Sequence, residues 1–506
     1  MEFILSAVQL YFTSLPMFFN PMTIGLLLLG TVIGITFGAL PGLTSTMSLA
    51  LFTPLTFGLE SSQAMVFLIA IYSCAVYGGS LSAILINIPG TPSAIMTGLD
   101  GYPMSQRGEA GRAIGLATIA SALGGLGGML VLILAAPAVA QLALRLGSSE
   151  YALLASLGLA LIAYISGKSI VKGVIAGFIG LLIATIGMDP IGAYPRFTFG
   201  LVDLIGGVEL IPALIGLFGI AEVLKQVDKG LLKEVGFQKI SGILSCFSEV
   251  KKLWGVLIRS VAIGTFIGAV PGTGGSIAAM TSYAIQKRVS KKSKEFGTGL
   301  PEGICAPESA NNASVGGALI PMLTLGIPGD PMTAVLIGAL LFHGLVPGPL
   351  LFEAHPDFIS AIFLTLTLSC FLILLVGLAG SKLMARVLTI PQYILMPTIL
   401  VLCMVGSYTI RQSLFDIGVA TVCGILGYLL QKVEIPVAPI VLGLILGPML
   451  EDNFRRSLIL SGGSLMPFFT RPGCLILILL IILVLFGPSI QSRLRRKTGF
   501  KLKSSG

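Results

Sequence analysis

Charge is scarce in this chain. Only 10% of its 506 residues are Asp, Glu, Lys or Arg, against 55% hydrophobic ones, and so few charges cannot coat a soluble globule of this size. Histidine is confined to His343 and His355, and the cysteines Cys74, Cys246, Cys305, Cys370, Cys403, Cys423 and Cys474 show no C-x-x-C spacing. A metal site therefore lacks donors, and the thiols read as packing residues. The N-terminus has no basic n-region, Glu2 being its only early charge, and no small-x-small cleavage site follows, so the apolar stretch at 3–20 is read as retained. H-E-x-x-H and G-x-S-x-G are missing, and Asp189, Asp203 and Asp330, in or near apolar segments, lack the G-x-G-D spacing of intramembrane aspartyl proteases. The chain is expected not to be an enzyme and to need no cofactor. Its formal charge of +9 lies in short Lys/Arg runs between apolar stretches. With no long basic face and no aromatic stacking module, that charge reports topology and not a nucleic-acid partner.

What is present is apolar sequence broken twice in the same way. Gly34 to Thr46, GITFGALPGLTST, returns at Gly264 to Ser276 as GTFIGAVPGTGGS. Gly78-Gly79 followed by Ile88-Pro89-Gly90-Thr91-Pro92 has its counterpart in Gly316-Gly317 followed by Ile327-Pro328-Gly329-Asp330-Pro331, and Pro212 to Gly219 matches Pro439 to Leu446 more weakly. Ordered correspondence of this kind in a hydrophobic chain marks two related halves, as in transporters.

Lys225, Lys229, Lys233, Lys239, Lys251 and Lys252 precede the second Pro-Gly element, and Lys287, Arg288, Lys291, Lys292 and Lys294 follow it, so both of its ends are cytoplasmic. The stretch between Lys252 and Lys287 leaves arms of about 14 to 18 residues, roughly 21 to 27 Å of helix, short of the ~30 Å hydrocarbon core. A re-entrant hairpin fits better than two full spans, and backbone broken at that depth must line a cavity or be buried in protein.

Further spans are expected at 3–20, 63–99, 113–138, 150–166, 170–188, 206–225, 313–341, 358–380, 393–410, 413–431, 435–450 and 473–489. With the N-terminus inside, most basic residues fall on the cytoplasmic side. Arg145, Arg196, Arg411, Arg455, Arg456 and Arg471 are exceptions. The expected fold is thus an all-α polytopic membrane protein of about 12 spans in two inverted repeats, each a re-entrant hairpin plus about five spans, one of them broken. An N-terminal helix at 1–20 precedes repeat 1 at 21–228, with its hairpin at 24–57 and broken helix at 63–99. A cytoplasmic linker at 229–252 leads to repeat 2 at 253–456, with its hairpin at 253–286 and broken helix at 313–341. A final span at 457–490 and a basic cytoplasmic tail at 491–506 complete the chain.

The chemistry is expected at the breaks. Pro41-Gly42 ends one arm, and Thr44, Ser45 and Thr46 open the next with hydroxyls and unpaired N–H groups, an anion-binding arrangement. Pro271, Gly272, Thr273, Gly274 and Ser276 form the second tip, and carbonyls ending each preceding arm offer a place for a cation. The plainer alternative is that the glycines only permit close helix packing. In the broken helices Asn87 and Gly90 stop a helix that Thr91 restarts as N-cap, with Pro92 at the first helical position. Gly329 and Asp330 repeat the design with an added charge, which makes Asp330 either an ordinary N-cap or a coupling-ion residue. Aligned on the Gly-Gly pairs, Pro307 to Asn312 falls opposite the apolar Ile69 to Cys74. Glu308, Asn311 and Asn312 are therefore candidates for a cavity wall, the alternative being a cytoplasmic loop.

The runs GALPGL, AVYGGSLSAILINIPGTP, LDGYPM, PRFTFG, GLFGIAEVL, APESANNASVGGALIPMLTLGIPG, HGLVPGPLLF and LGPMLEDNFRRSL resemble the large membrane subunit of tripartite tricarboxylate transporters, the TctA family, over about residues 20 to 490. The resemblance implies a bacterial inner-membrane secondary transporter for citrate or another carboxylate, driven by a Na+ or H+ gradient. It also implies a small membrane subunit and a periplasmic substrate-binding protein as partners, and by wider analogy elevator-like movement. N- and C-termini are expected in the cytoplasm. The second tip reads PGTGGS where PGAGAT is commoner in the family, and Asp330-Pro331 stands where small residues are usual, so citrate is not to be assumed. A passive organic-anion channel and a stand-alone carboxylate carrier are the competing readings.

Overall fold

The structure, a computed structural model, describes residues 11–165, 169–229, 246–379 and 391–498. Its helices are α1 (Pro21–Ala39), α2 (Ser45–Phe52), α3 (Ser61–Ile86), α4 (Ile95–Gln106), α5 (Ala110–Ala143), α6 (Ser148–Ile165), α7 (Ile170–Ala184), α8 (210–229, with a π-helical turn at Ile215–Ile220), α9 (Cys246–Lys252), α10 (Trp254–Gly268) and α11 (Gly274–Val289). The second half adds α12 (Pro301–Leu325), α13 (Pro331–Phe342), α14 (Leu350–Ala354), α15 (Pro356–Ala379), α16 (Gln392–Arg411), α17 (Leu414–Lys432), α18 (Ala438–Leu460), α19 (Met466–Thr470) and α20 (Pro472–Thr498). The run PRFTFG contributes to the one sheet among the described residues, a two-stranded hairpin of β1 (Gly187–Met188) and β2 (Pro195–Arg196).

Seven described helices are long and apolar enough to cross a membrane, and five shorter apolar helices of 10–17 residues accompany them. The chain is a multi-pass, all-α membrane protein. Several expected spans differ in detail. The stretch at 3–20 lies partly outside the described residues, and its described end is a 3-10 turn at Leu15–Phe19, because Pro16 and Pro21 interrupt a continuous helix there. The run expected at 313–341 begins at Pro301, and that expected at 435–450 continues to Leu460 as α18.

The two compact units cut across the two halves of the sequence: the larger takes Met1–Leu144 and Val208–Lys432, the smaller Arg145–Gly207 and Val433–Gly506. In the larger unit α1 packs on α3 and α10 on α12, while α5 lies on α12 and α15 on α3. Close approach explains the glycine stripes. A Cβ at Gly30, Gly34 or Gly38 would come within 2.6, 2.6 and 2.2 Å of the carbonyls of Phe67, Ile71 and Ala75, and one at Gly264 or Gly268 within 2.2 and 2.4 Å of those of Ala310 and Ser314. At these positions the packing alternative holds. The arms beyond the tips are short: α2 has 8 residues and α11 has 16, roughly 12 and 24 Å of helix. Neither reaches across a ~30 Å core.

The second arms interlock with the opposite half. Helix α2 packs on α13, and α11 on α4 and the 3-10 turn Pro92–Ala94. The far ends of the restarted helices are tied down in the same crossed fashion. Asp100, midway along α4, accepts from the N–H groups of Gly297, Gly299 and Leu300 at 2.8–2.9 Å and from Tyr283 Oη at 2.8 Å, and Arg107, at the end of α4, donates to the Thr298 carbonyl at 2.7 Å. His343, which ends α13, lies 3.0 Å from Thr56 Oγ1 in the segment before α3. Partial burial holds the His343 imidazole below its ordinary pKa, so the released state binds more protons than the packed one and the contact weakens as pH falls. Hydrogen-exchange protection of the 54–60 segment, taken relative to the intrinsic exchange rate at each pH, is expected to fall once pH drops below the usual histidine range of ~6.5. His343→Gln should flatten that dependence.

Four of the six exceptions to the positive-inside count are held in ion pairs. Arg411 is paired with Asp416 at 2.5 Å and Glu209 at 3.2 Å in the larger unit, and in the smaller unit Arg471 meets Glu150 at 2.9 Å. Arg196 and Arg455 share Asp189 and Glu451, at 2.6–3.4 Å.

Candidate functional site

In the first tip α1 stops at Ala39 because Pro41 cannot continue it, and Gly42 turns the chain at φ +89°. That region is left-handed and favours glycine. A Cβ at Gly42 would also lie 2.8 Å from the Gln226 carboxamide. Thr44 then caps α2, its hydroxyl accepting from Met47 N–H at 3.1 Å, while Ser45 Oγ is buried without a hydrogen-bond partner and Thr46 is half-buried. Gln392 donates to the Pro41 carbonyl at 3.4 Å, and Gln226 is held by Glu222 at 2.7 Å. Neither glutamine is conspicuous in sequence, since each sits at the polar edge of an apolar run.

The second tip is built alike but joined differently. Pro271 and Gly272, at φ +83°, turn the chain, and Gly272 N–H donates to the Gly329 carbonyl at 2.8 Å. Tip and helix break are thus hydrogen-bonded to each other. The Thr273 hydroxyl lies between the carbonyls of Ile267 and Val270, so it serves the arm behind it and does not cap the one ahead. Ideal Cβ atoms at Gly274 and Gly275 would fall 3.2 Å from Asp330 Cβ and 2.2 Å from Asn311 Oδ1. Ser276, two residues into α11, is half-buried.

At the first break Asn87 ends α3 in the left-handed conformation and Gly90 N–H donates to the Gly79 carbonyl at 3.3 Å. A Cβ at Gly90 would stand 2.0 Å from the Gly38 carbonyl, which sets the break against the last turn of α1, just ahead of the first tip. Thr91 does not cap by its side chain as expected. Its hydroxyl is taken by Ser93 Oγ at 3.0 Å, and the chain restarts as a 3-10 turn. Asp330 does cap. One carboxylate oxygen accepts from Thr333 N–H at 2.7 Å, Asp330 N–H donates back to Thr333 Oγ1 at 2.9 Å, and the other oxygen accepts from Tyr72 Oη at 2.7 Å. This capping box fills both carboxylate oxygens, so the ordinary N-cap role is met in full.

The polar block 307–312 lies inside α12 and is buried throughout, so the loop alternative fails. Glu308 accepts from Thr97 Oγ1 at 2.5 Å and Ser121 Oγ at 2.7 Å, neutral hydroxyls on α4 and α5. Asn312 donates back to the Glu308 carbonyl at 3.1 Å, and Asn311 donates to the Val76 carbonyl at 3.4 Å while its Oδ1 stays buried without a partner. The second tip, Asn311, Gly329 and Asp330 are therefore gathered in one place, and the first tip and Gly90 in another. Glu308 stands with Thr97 and Ser121. Sequence reasoning passed over Tyr72, Thr97 and Ser121. Two phenols, Tyr72 and Tyr77, in the apolar α3 were the only hint.

The comparisons with known proteins follow the same outline. A family model described as the tripartite tricarboxylate transporter TctA family matches residues 24–442. A curated Agrobacterium vitis protein named "Uncharacterized 52.8 kDa protein in TAR-I ttuC' 3'region" is 36% identical over 477 residues, covering 94% of this chain and 95% of its own. A second from the same organism, "Uncharacterized protein in TAR-II ttuC' 3'region", is 38% identical over 233 residues, 46% of this chain and 96% of its own. No solved structure matches. The chain belongs to the tripartite tricarboxylate transporter TctA family.

Proposed function

We propose that the chain is the large transmembrane subunit of a binding-protein-dependent secondary transporter, taking up tricarboxylates or related organic anions by elevator-type alternating access under a Na+ or H+ gradient. Its partners in this reading are a periplasmic substrate-binding protein and a small membrane subunit in the inner membrane, with both termini cytoplasmic. Family membership supports transport of tricarboxylates. The observation that carries the site reading is that each duplicated tip has a buried polar atom without a partner beside it, Ser45 Oγ at the first and Asn311 Oδ1 at the second. Such atoms are rare in folded proteins and mark places where a ligand completes the bonding.

The two atoms differ in chemistry. A serine hydroxyl and the open N–H groups at the start of α2 donate, which suits a carboxylate. An amide oxygen only accepts, which suits Na+. Glu308, between two neutral hydroxyls, is the natural place for a coupling proton. Asp330, whose carboxylate caps α13, stands beside the second tip as the other coupling-ion candidate. The matched pairings of α1 with α3 and α10 with α12, and the crossed contacts of α2 with α13 and α11 with α4, support an inverted-repeat architecture in which both tips are held by the opposite half.

The test is uptake of a labelled tricarboxylate by proteoliposomes holding the chain and both partner proteins. Accumulation above equilibrium only under an imposed Na+ or H+ gradient is the expected result, and the ion that works separates the Asn311 from the Glu308 route. Equilibration that ignores both gradients would make the chain a passive channel.

A further inference from the structure

The smaller unit contains a cavity of about 560 Å³ among α6, α7, α18, α19 and α20, within the ~300–1,000 Å³ usual for small-molecule sites. Leu153, Leu181, Leu450, Phe468 and Ile478 make its wall apolar, and Glu451 is its one charged lining residue. Phe454, Leu465 and Phe469, also in the lining, are 39%, 50% and 61% exposed, so apolar surface continues from the cavity outward. Glu451 connects it to an ion cluster: Arg196 and Arg455 reach Glu451 at 2.6 and 2.9 Å, and Asp189 receives Arg455 at 2.7 Å and Arg196 at 3.4 Å. After both carboxylates are served, Arg196 Nε–H remains buried without an acceptor.

We infer that this cavity is a phospholipid site, with an acyl chain in the apolar chamber and the phosphate accepting hydrogen bonds from Arg196 and Arg455. The apolar wall cannot satisfy the several carboxylates of a tricarboxylate, which would enter without donors. It is also too small for a helix of a partner, whose diameter is ~10 Å with side chains. An amphiphile meets both halves of the site: an apolar tail without polar groups to bury, and an anionic head where a guanidinium has a donor to spare. In a chain that crosses a membrane the molecule with that shape surrounds the protein already.

The test uses the full chain purified in mild detergent and incubated with vesicles of a phospholipid carrying a diazirine at its acyl terminus. Irradiation and peptide mapping should place adducts on α6, α7 or α18 near Leu153, Leu181 and Leu450. Ala184→Phe, which fills the chamber, should reduce them about tenfold, and Arg196→Gln should weaken labelling while unmodified competitor phospholipid displaces the probe. If Ala184→Phe does not fold, Phe469→Ser at the outer part of the lining serves the same purpose. Labelling spread evenly over lipid-facing helices, labelling unchanged by either cavity variant, or a free fatty acid competing as well as the phospholipid would each overturn the assignment.

Discussion

Gly42→Leu and Gly272→Leu are each expected to abolish tricarboxylate uptake, by about a hundredfold or more, while the chain still inserts and accumulates in the membrane. Both glycines turn the chain in the left-handed region, at φ +89° and +83°, where a side chain costs roughly 1–2 kcal/mol in backbone strain alone. The larger effect is positional. A side chain at 42 is driven into Gln226, 2.8 Å from the first added carbon, and one at 272 must disturb the turn whose N–H is held by Gly329. Displacing a positioned group by 1 Å costs about a hundredfold in catalytic sites, and a transport site that must bind and release on each cycle is no more tolerant. Leucine adds apolar surface, so insertion is retained. Uptake assays with a surface-expression control check this, and near-normal transport by both variants would remove the tips from the site.

Glu308→Gln is expected to leave the fold intact and reduce gradient-driven accumulation at least tenfold. The amide still accepts from one hydroxyl and donates to the other, so Thr97 and Ser121 keep partners, while the titratable charge is lost. Glu308→Ala separates the structural part from the ionic part. It strands two buried hydroxyls, at about 1–3 kcal/mol each, and should lower thermal stability where Glu308→Gln does not. Ion-gradient titrations on both variants, beside melting curves, check the pair. Unchanged ion dependence in Glu308→Gln would confine Glu308 to packing.

Much of this was legible from local signals. At the second tip, Pro-Gly in a glycine-rich apolar run, bracketed by lysines too close together for two spans, pointed to short arms, and α10 and α11 have 15 and 16 residues. The repeat alignment drew the Glu308 block into a helix before any contact was visible. Other features depended on distant partners. Thr97 and Ser121 lie 211 and 187 residues from Glu308, and an apolar-run reading starts α12 too late because it cannot see that its polar residues are satisfied by other helices. Thr91 was read as a cap from its place before proline, but Ser93 offered its hydroxyl a nearer partner. The out-of-place arginines looked like errors of topology until Asp189, Glu451, Asp416, Glu209 and Glu150 were found beside four of them.

The central claim is that the duplicated tips are the substrate site. The seven native cysteines are buried, so single cysteines at half-buried Thr46 and Ser276 can be followed by a maleimide in a background where the native ones are replaced by alanine. Added tricarboxylate is predicted to protect Thr46→Cys and Na+ to protect Ser276→Cys, and both to leave Asn20→Cys, at the exposed start of α1, labelled as before. Labelling of both tips that is indifferent to carboxylate and to Na+ would contradict the account.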